Sequence, residues 1–190
     1  MRKMTMSTFV ISSTHFGAKN AYGKYGYPKT YERYIWNALD ERLDRGDVLI
    51  HLGDFAERDF VIWSHALISC LGQSAAVIMC LGHEEQRSAT WFMKNRWSMA
   101  CDRTVIDIGG KKCLFSHNPM EAKVDMAFCA HPGSVDRPDR YVYDLRKEMF
   151  LPVCVEDVLG LERKPFDEEI LDDWKNSGLK ITGADGKRLN

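Results

Sequence analysis

Five short segments carry the residues best suited to chemistry: Ser12-Ser13-Thr14-His15, His51-Leu52-Gly53-Asp54, Gly82-His83-Glu84-Glu85, Ser116-His117-Asn118-Pro119 and Cys129-Ala130-His131. Each follows an apolar run. Four of the six histidines, His15, His83, His117 and His131, stand in these segments after the runs, and Asp54 adds a carboxylate. Imidazole nitrogens and a carboxylate oxygen are donors that Zn²⁺, Mn²⁺ or Fe²⁺ accept. A single histidine in a loop is more often solvated or hydrogen-bonded to backbone than metal-bound, so the weight falls on the recurrence. Asp54 after Gly53 is also compatible with a turn closed on its own backbone. His51 and His65 lie inside a strand pattern and a helix pattern, and both read as structural.

Alternating apolar and amphipathic stretches supply the elements that must position these loops. Residues 8–12, 47–52 and 75–81 are short, continuous and apolar, as buried strands are. Over 31–45, Tyr31, Ile35, Ala38, Leu39 and Leu43 recur at helical spacing, with Gly46 at the end. Further helices are predicted over 59–71 and 88–100. Runs at 103–108 and 111–116 flank Gly109-Gly110, a hairpin signal. Residues 126–130 form another predicted strand. Segments 140–143 and 151–155 are expected to close a second sheet, with Pro152 confining the latter to an edge or a strand start. A short helix over 167–174 and a polar tail over 177–190 complete the chain. This order argues an α/β fold: a two-sheet β-sandwich flanked by helices, in a single domain over 1–176. Ligands of open α/β folds bind beyond the carboxyl ends of strands, where the five segments fall.

The 190-residue length allows one domain of ordinary size. Hydrophobic residues at 45% and charged residues at 28% give a globular balance. A net charge of −1 without a basic stripe offers no electrostatic basis for nucleic-acid or membrane partners. No apolar run approaches the ~20 residues that span a bilayer, and the N-terminal stretch lacks a signal-peptide core. The six cysteines include no CxxC pair and sit mostly in apolar runs such as Val77-Ile78-Met79-Cys80. Free, buried thiols in a reducing cytoplasmic setting are therefore expected.

Ile11-Ser12-Ser13-Thr14-His15-Phe16-Gly17 resembles the I-S-D-T-H-F-G motif of the calcineurin-like metallophosphoesterases, and His51-Leu52-Gly53-Asp54-Phe55 resembles their H-L-G-D-F. Leu81-Gly82-His83-Glu84-Glu85 is similar to R-G-N-H-D/E, and Ser116-His117-Asn118-Pro119 to S-H-x-P. Cys129-Ala130-His131-Pro132-Gly133 stands where that family has H-G-H-x-H. Pro165-Phe166-Asp167-Glu168-Glu169-Ile170 is similar to the P-x-S-L-D-E-I end of short stand-alone bacterial and phage members. The resemblance runs from about Thr8 to Trp174, and five motifs in order are far more specific than one. It implies that family's chemistry, in which two metal ions share the G-D aspartate and a metal-bound hydroxide attacks a phosphate ester. In it, the histidine of the N-H pair helps to protonate the leaving group.

Transferred residue by residue, the resemblance places Ser13, His15, Asp54 and Gly133 around the first metal. The family has aspartate at the position of Ser13 and histidine at that of Gly133. A hydroxyl is a weak substitute for an anionic ligand, and glycine offers no side chain, so His15 and Asp54 alone remain. The second metal would take Asp54, His83 in place of asparagine, His117 and His131, a donor set suited to one Zn²⁺ or Mn²⁺. Glu84 occupies the place of the catalytic histidine, where a carboxylate beside a metal acts as a base rather than a proton donor. If one residue is deleted after Gly82, His83 becomes that histidine and the asparagine ligand has no replacement.

The sequence therefore points to a degenerate metallophosphoesterase-fold protein, a pseudoenzyme with one divalent metal at most and a binding or regulatory role. The alternative is an active phosphoesterase that hydrolyses phosphate mono- or diesters through a single-metal or altered site. A protein partner would meet the loop over 18–31, opened by Ala18 and closed by Tyr31. There Tyr22, Tyr25, Tyr27 and Tyr31 are interleaved with Lys19, Lys24 and Lys29. Tyrosine provides contact area at low entropic cost. The plainer reading has these rings packing the loop against the first helix.

Overall fold

The continuous apolar runs become the central strands. The computed structural model describes residues 5–44, 46–71, 76–83, 85–118, 122–131, 142–145, 151–162 and 164–165. Its elements are, in chain order, β1 (Thr5–Met6), β2 (Thr8–Ile11), α1 (Ala21–Tyr25), α2 (Tyr31–Arg42), β3 (Val48–His51) and α3 (Phe60–Leu71). Next come β4 (Ala76–Cys80), α4 (Ala89–Lys94), β5 (Met99–Cys101), β6 (Arg103–Ile108) and β7 (Lys111–Ser116). The remaining elements are β8 (Met126–Cys129), β9 (Val142–Asp144), β10 (Val153–Cys154), α5 (Val155–Leu159) and β11 (Lys164–Pro165).

The fold is α/β with two main sheets. The first has the order β10-β2-β3-β4-β5, parallel except for β10, which runs antiparallel on β2. The second has the order β6-β7-β8-β9, opened by an antiparallel hairpin. Gly109 (φ 61°) and Gly110 (φ 84°) turn that hairpin, both in the left-handed region that a tight two-residue connection demands. β1 and β11 pair as a separate ribbon.

Period-two alternation sorts the side chains of the first sheet between two cores. Val10, Ile50 and Ile78 share a buried cluster with Phe115 and Phe128 of the second sheet. Phe9, Ile11, Leu49, Val77 and Met79 point the other way, onto Ile35 and Leu39 of α2, Leu67 of α3 and Phe92 of α4. With both faces covered, β2, β3 and β4 are buried at every position, which accounts for their continuous apolar runs.

Several elements differ from the sequence reading. The helix expected over 88–100 stops at Lys94, and Met99–Cys101 is the edge strand β5. Arg96 turns left-handed (φ 72°), and the Ser98 N–H donates to the Val77 carbonyl, so sheet pairing captures the end of the segment. The strand expected over 151–155 joins the first sheet instead of closing the second. It begins at Val153, after Pro152, and Val155 opens α5. The loop over 18–31 contains α1, capped by the Asn20 side chain on Gly23 N and ended by Gly26 at φ 73°. Five free cysteines are buried and Cys70 is exposed. Among the described residues no helix is long and apolar enough to cross a membrane. The helix expected over 167–174 and the tail over 177–190 lie outside the described residues.

Candidate metal centre

Backbone hydrogen bonds zip the loop after β2 to the loop after β3. Ser13 N donates to Gly53 O at 3.0 Å, His15 N to Asp54 O at 3.0 Å, and Phe16 N to Phe55 O at 2.9 Å. Ser13 (φ 51°), His15 (φ 43°) and Asp54 (φ 55°) all adopt left-handed backbone, a region that non-glycine residues seldom enter. Such strain gathers at sites where surrounding contacts over-determine the chain. The loop after β4 is pressed against the same turn. A Cβ on Gly53 would lie 2.4 Å from Gly82 N, and one on Gly82 would lie 2.5 Å from Asp54 Oδ1.

This arrangement brings Asp54, His117 and His131 together, with one ligand atom from each lying within 4.8 Å of the others. His117 Nε2 is 3.4 Å and His131 Nε2 3.5 Å from Asp54 Oδ2. On its other side His117 Nδ1 donates to the Leu52 carbonyl at 2.6 Å. A carbonyl can only accept, so the His117 proton sits on Nδ1 and the Nε2 lone pair faces the cluster. That Nε2 is buried and has no hydrogen-bond partner among the described residues. Burial also holds the His117 pKa below the usual histidine value, favouring the neutral ring that metals bind. His131 sits at the rim, with 42% of its side chain exposed. A buried imidazole nitrogen facing the cluster, a second imidazole and a carboxylate are a donor set that could hold a metal ion.

The other expected ligands lie outside this cluster. His83 is exposed, accepts from Asn118 Nδ2 at 2.9 Å, and stands edge-on to His117 with ring centroids 4.8 Å apart. His15 is buried, stacked on Tyr25 with centroids 3.9 Å apart, and its Nδ1 lies 3.9 Å from Glu57 Oε1. The Ser13 hydroxyl is buried with no hydrogen-bond partner among the described residues. Glu84 and Gly133 lie outside the described residues.

Three of the four loop tyrosines turn inward onto the β2 loop. Tyr27 donates to Ser13 O at 2.7 Å, Tyr31 donates to His15 O at 2.5 Å, and Tyr25 donates to Glu57. Burial pushes the Tyr27 hydroxyl up to about 12, so it remains a donor. Tyr22 is exposed. Glu57 also accepts from Lys24 at 2.8 Å, a link across 33 residues that no local pattern announces. Glu85 is a further member the sequence reading passed over in favour of Glu84. Its Oε1 accepts from Phe55 N at 2.8 Å, its Oε2 is buried without a hydrogen-bond partner among the described residues, and burial pushes its pKa up to about 7. The signal available was the pair of consecutive carboxylates after β4.

No family model and no curated protein matches the sequence. Among solved structures, the chain is similar to the crystal structure of a protein of unknown function from Aquifex aeolicus. The TM-score is 0.63 at 19% identity, over 82% of this chain and 98% of that one. At that identity the likeness speaks for a shared α/β fold and for nothing finer.

Proposed function

We propose that this chain is a degenerate member of the calcineurin-like metallophosphoesterase fold, a two-sheet sandwich that holds one divalent ion and acts by binding, in a regulatory role. The single observation behind this reading is the Asp54–His117–His131 cluster, assembled while His15 stacks on Tyr25 and a serine stands at position 13. Asp54, His117 and His131 would hold the ion. When bound it would supply Lewis-acid charge toward an oxygen of a phosphate group. His15 and the Ser13 hydroxyl make a poor counterpart site, since they bring no second anionic ligand.

Metal analysis after dialysis against Zn²⁺ or Mn²⁺, run beside hydrolysis of bis(p-nitrophenyl) phosphate, tests the proposal. One ion per chain without turnover above background is the expected result. Two ions per chain with turnover would overturn it. A second reading, a single-metal phosphoesterase, is favoured by the three-donor set and the exposed rim at His131, the open pattern of catalytic rather than structural zinc sites. Turnover with one bound ion, abolished by His117→Ala, would select that reading.

A further inference from the structure

We propose that His51, acting through Thr14, is a positioning residue for the metal centre. The inference rests on the one-ion reading above and assigns a role to a histidine outside the ligand set. His51 ends β3 and is 1% exposed. Gly53 N–H donates to its Nδ1 at 3.2 Å, which leaves the ring proton on Nε2. Nε2 lies 3.0 Å from Thr14 Oγ1, and that hydroxyl donates its own hydrogen to Phe55 O at 2.7 Å. The polarity is therefore continuous: Gly53 N–H to imidazole, imidazole N–H to hydroxyl, hydroxyl to carbonyl.

The residues gripped are those that flank the strained positions. Thr14 lies between Ser13 and His15, while Gly53 and Phe55 bracket Asp54, and Ser13, His15 and Asp54 have left-handed backbones. The ring is held from turning by Phe55, edge-on at 5.3 Å between centroids. Burial lowers the His51 pKa to about 3, so the neutral ring with its directed bonds persists at neutral pH. Removing one link frees the Asp54 turn to relax and carries Oδ2 away from the point it shares with the two ligand histidines. Outer hydrogen-bond partners of this kind commonly affect metal affinity by about ten- to a hundredfold.

The test uses the full chain with Thr14→Val, which keeps shape and removes the hydroxyl, and His51→Phe, which keeps a ring without nitrogen. Zn²⁺ affinity is measured against a chromophoric chelator, the Co²⁺ absorption spectrum reports ligand geometry, and thermal midpoints report the fold. We expect about ten- to a hundredfold weaker Zn²⁺ binding and a shifted Co²⁺ band in each variant. The double variant should lose no more than the worse single variant, and Thr14→Ser should restore binding. Folded Thr14→Val with wild-type affinity and an unchanged Co²⁺ spectrum would overturn the proposal while leaving the metal site intact. A wild-type chain that binds no Zn²⁺ would overturn the one-ion reading and this role together. Nitrogen-15 shifts of the wild-type imidazole guard against variants that fail to fold. The Nε2–H tautomer supports the relay, and the Nδ1–H tautomer refutes it.

Discussion

Alanine at position 82 would place a methyl group where two loops already touch. The Cβ of Gly82→Ala would stand 2.5 Å from Asp54 Oδ1, 2.6 Å from Asp54 N and 3.0 Å from Gly53 Cα. Ordinary van der Waals contact begins at 3.4 Å, so a displacement of roughly 0.9 Å (3.4 − 2.5) is required at the carboxylate. The carboxylate could swing aside, but the Asp54 backbone cannot follow freely, because the bond from His15 N to Asp54 O pins it to the β2 loop. Overpacking of this kind costs about 1–3 kcal/mol of stability. Metal–ligand distances tolerate only about 0.2 Å, so a shift near 1 Å removes Asp54 as an effective ligand. Zn²⁺ affinity should fall about a hundredfold or more, equivalent to about 2.7 kcal/mol. Competition titration with a chelator gives the affinity, and urea denaturation of the metal-free protein gives the stability. Wild-type values in both assays would refute the claim that the loop after β4 sets the Asp54 carboxylate.

Three further outcomes separate ligand chemistry from packing. His117→Ala and His131→Ala should both abolish tight Zn²⁺ binding. Urea denaturation of the metal-free proteins should show a loss of about 2–4 kcal/mol only for the buried His117, whose removal leaves a cavity and an unpaired Leu52 carbonyl; equal losses would argue against the placement of His131 at the rim. Glu85 has a native pKa raised to about 7 from 4.5, so the stability its proton brings is full below the unfolded value and lost as pH rises through 7. Glu85→Gln mimics the protonated form. In metal-free protein it should be neutral near pH 4.5 and stabilising by up to about 3 kcal/mol at pH 8, and a pH-independent effect would contradict this. Ser13→Asp combined with Gly133→His should raise bound Mn²⁺ from one to two ions per chain and bring measurable phosphodiester hydrolysis; an unchanged stoichiometry would mean that these two positions are not what limits the site.

Residue order alone was enough to locate the elements whose burial is absolute. β2, β3 and β4 are continuous apolar runs because both faces of the sheet are covered, and Gly109-Gly110 marks its turn because both positions need left-handed backbone. It also located the polar loops from which a metal site could be drawn. Elements held by partners distant in the chain were not legible. Met99–Cys101 reads as the end of a helix until β4 is beside it, and Val153–Cys154 finds its place only against β2. The choice of ligands belongs to the same class. His15, His83, His117 and His131 follow similar apolar runs, and no local pattern ranks them. Tertiary contact does: Tyr25 and Glu57 engage His15, Asn118 engages His83, and Leu52 aims His117 at Asp54. His117 is available to a metal because the Leu52 carbonyl satisfies its Nδ1 and its Nε2 faces Asp54. Both conditions depend on atoms tens of residues away in the chain and a few ångströms away in space.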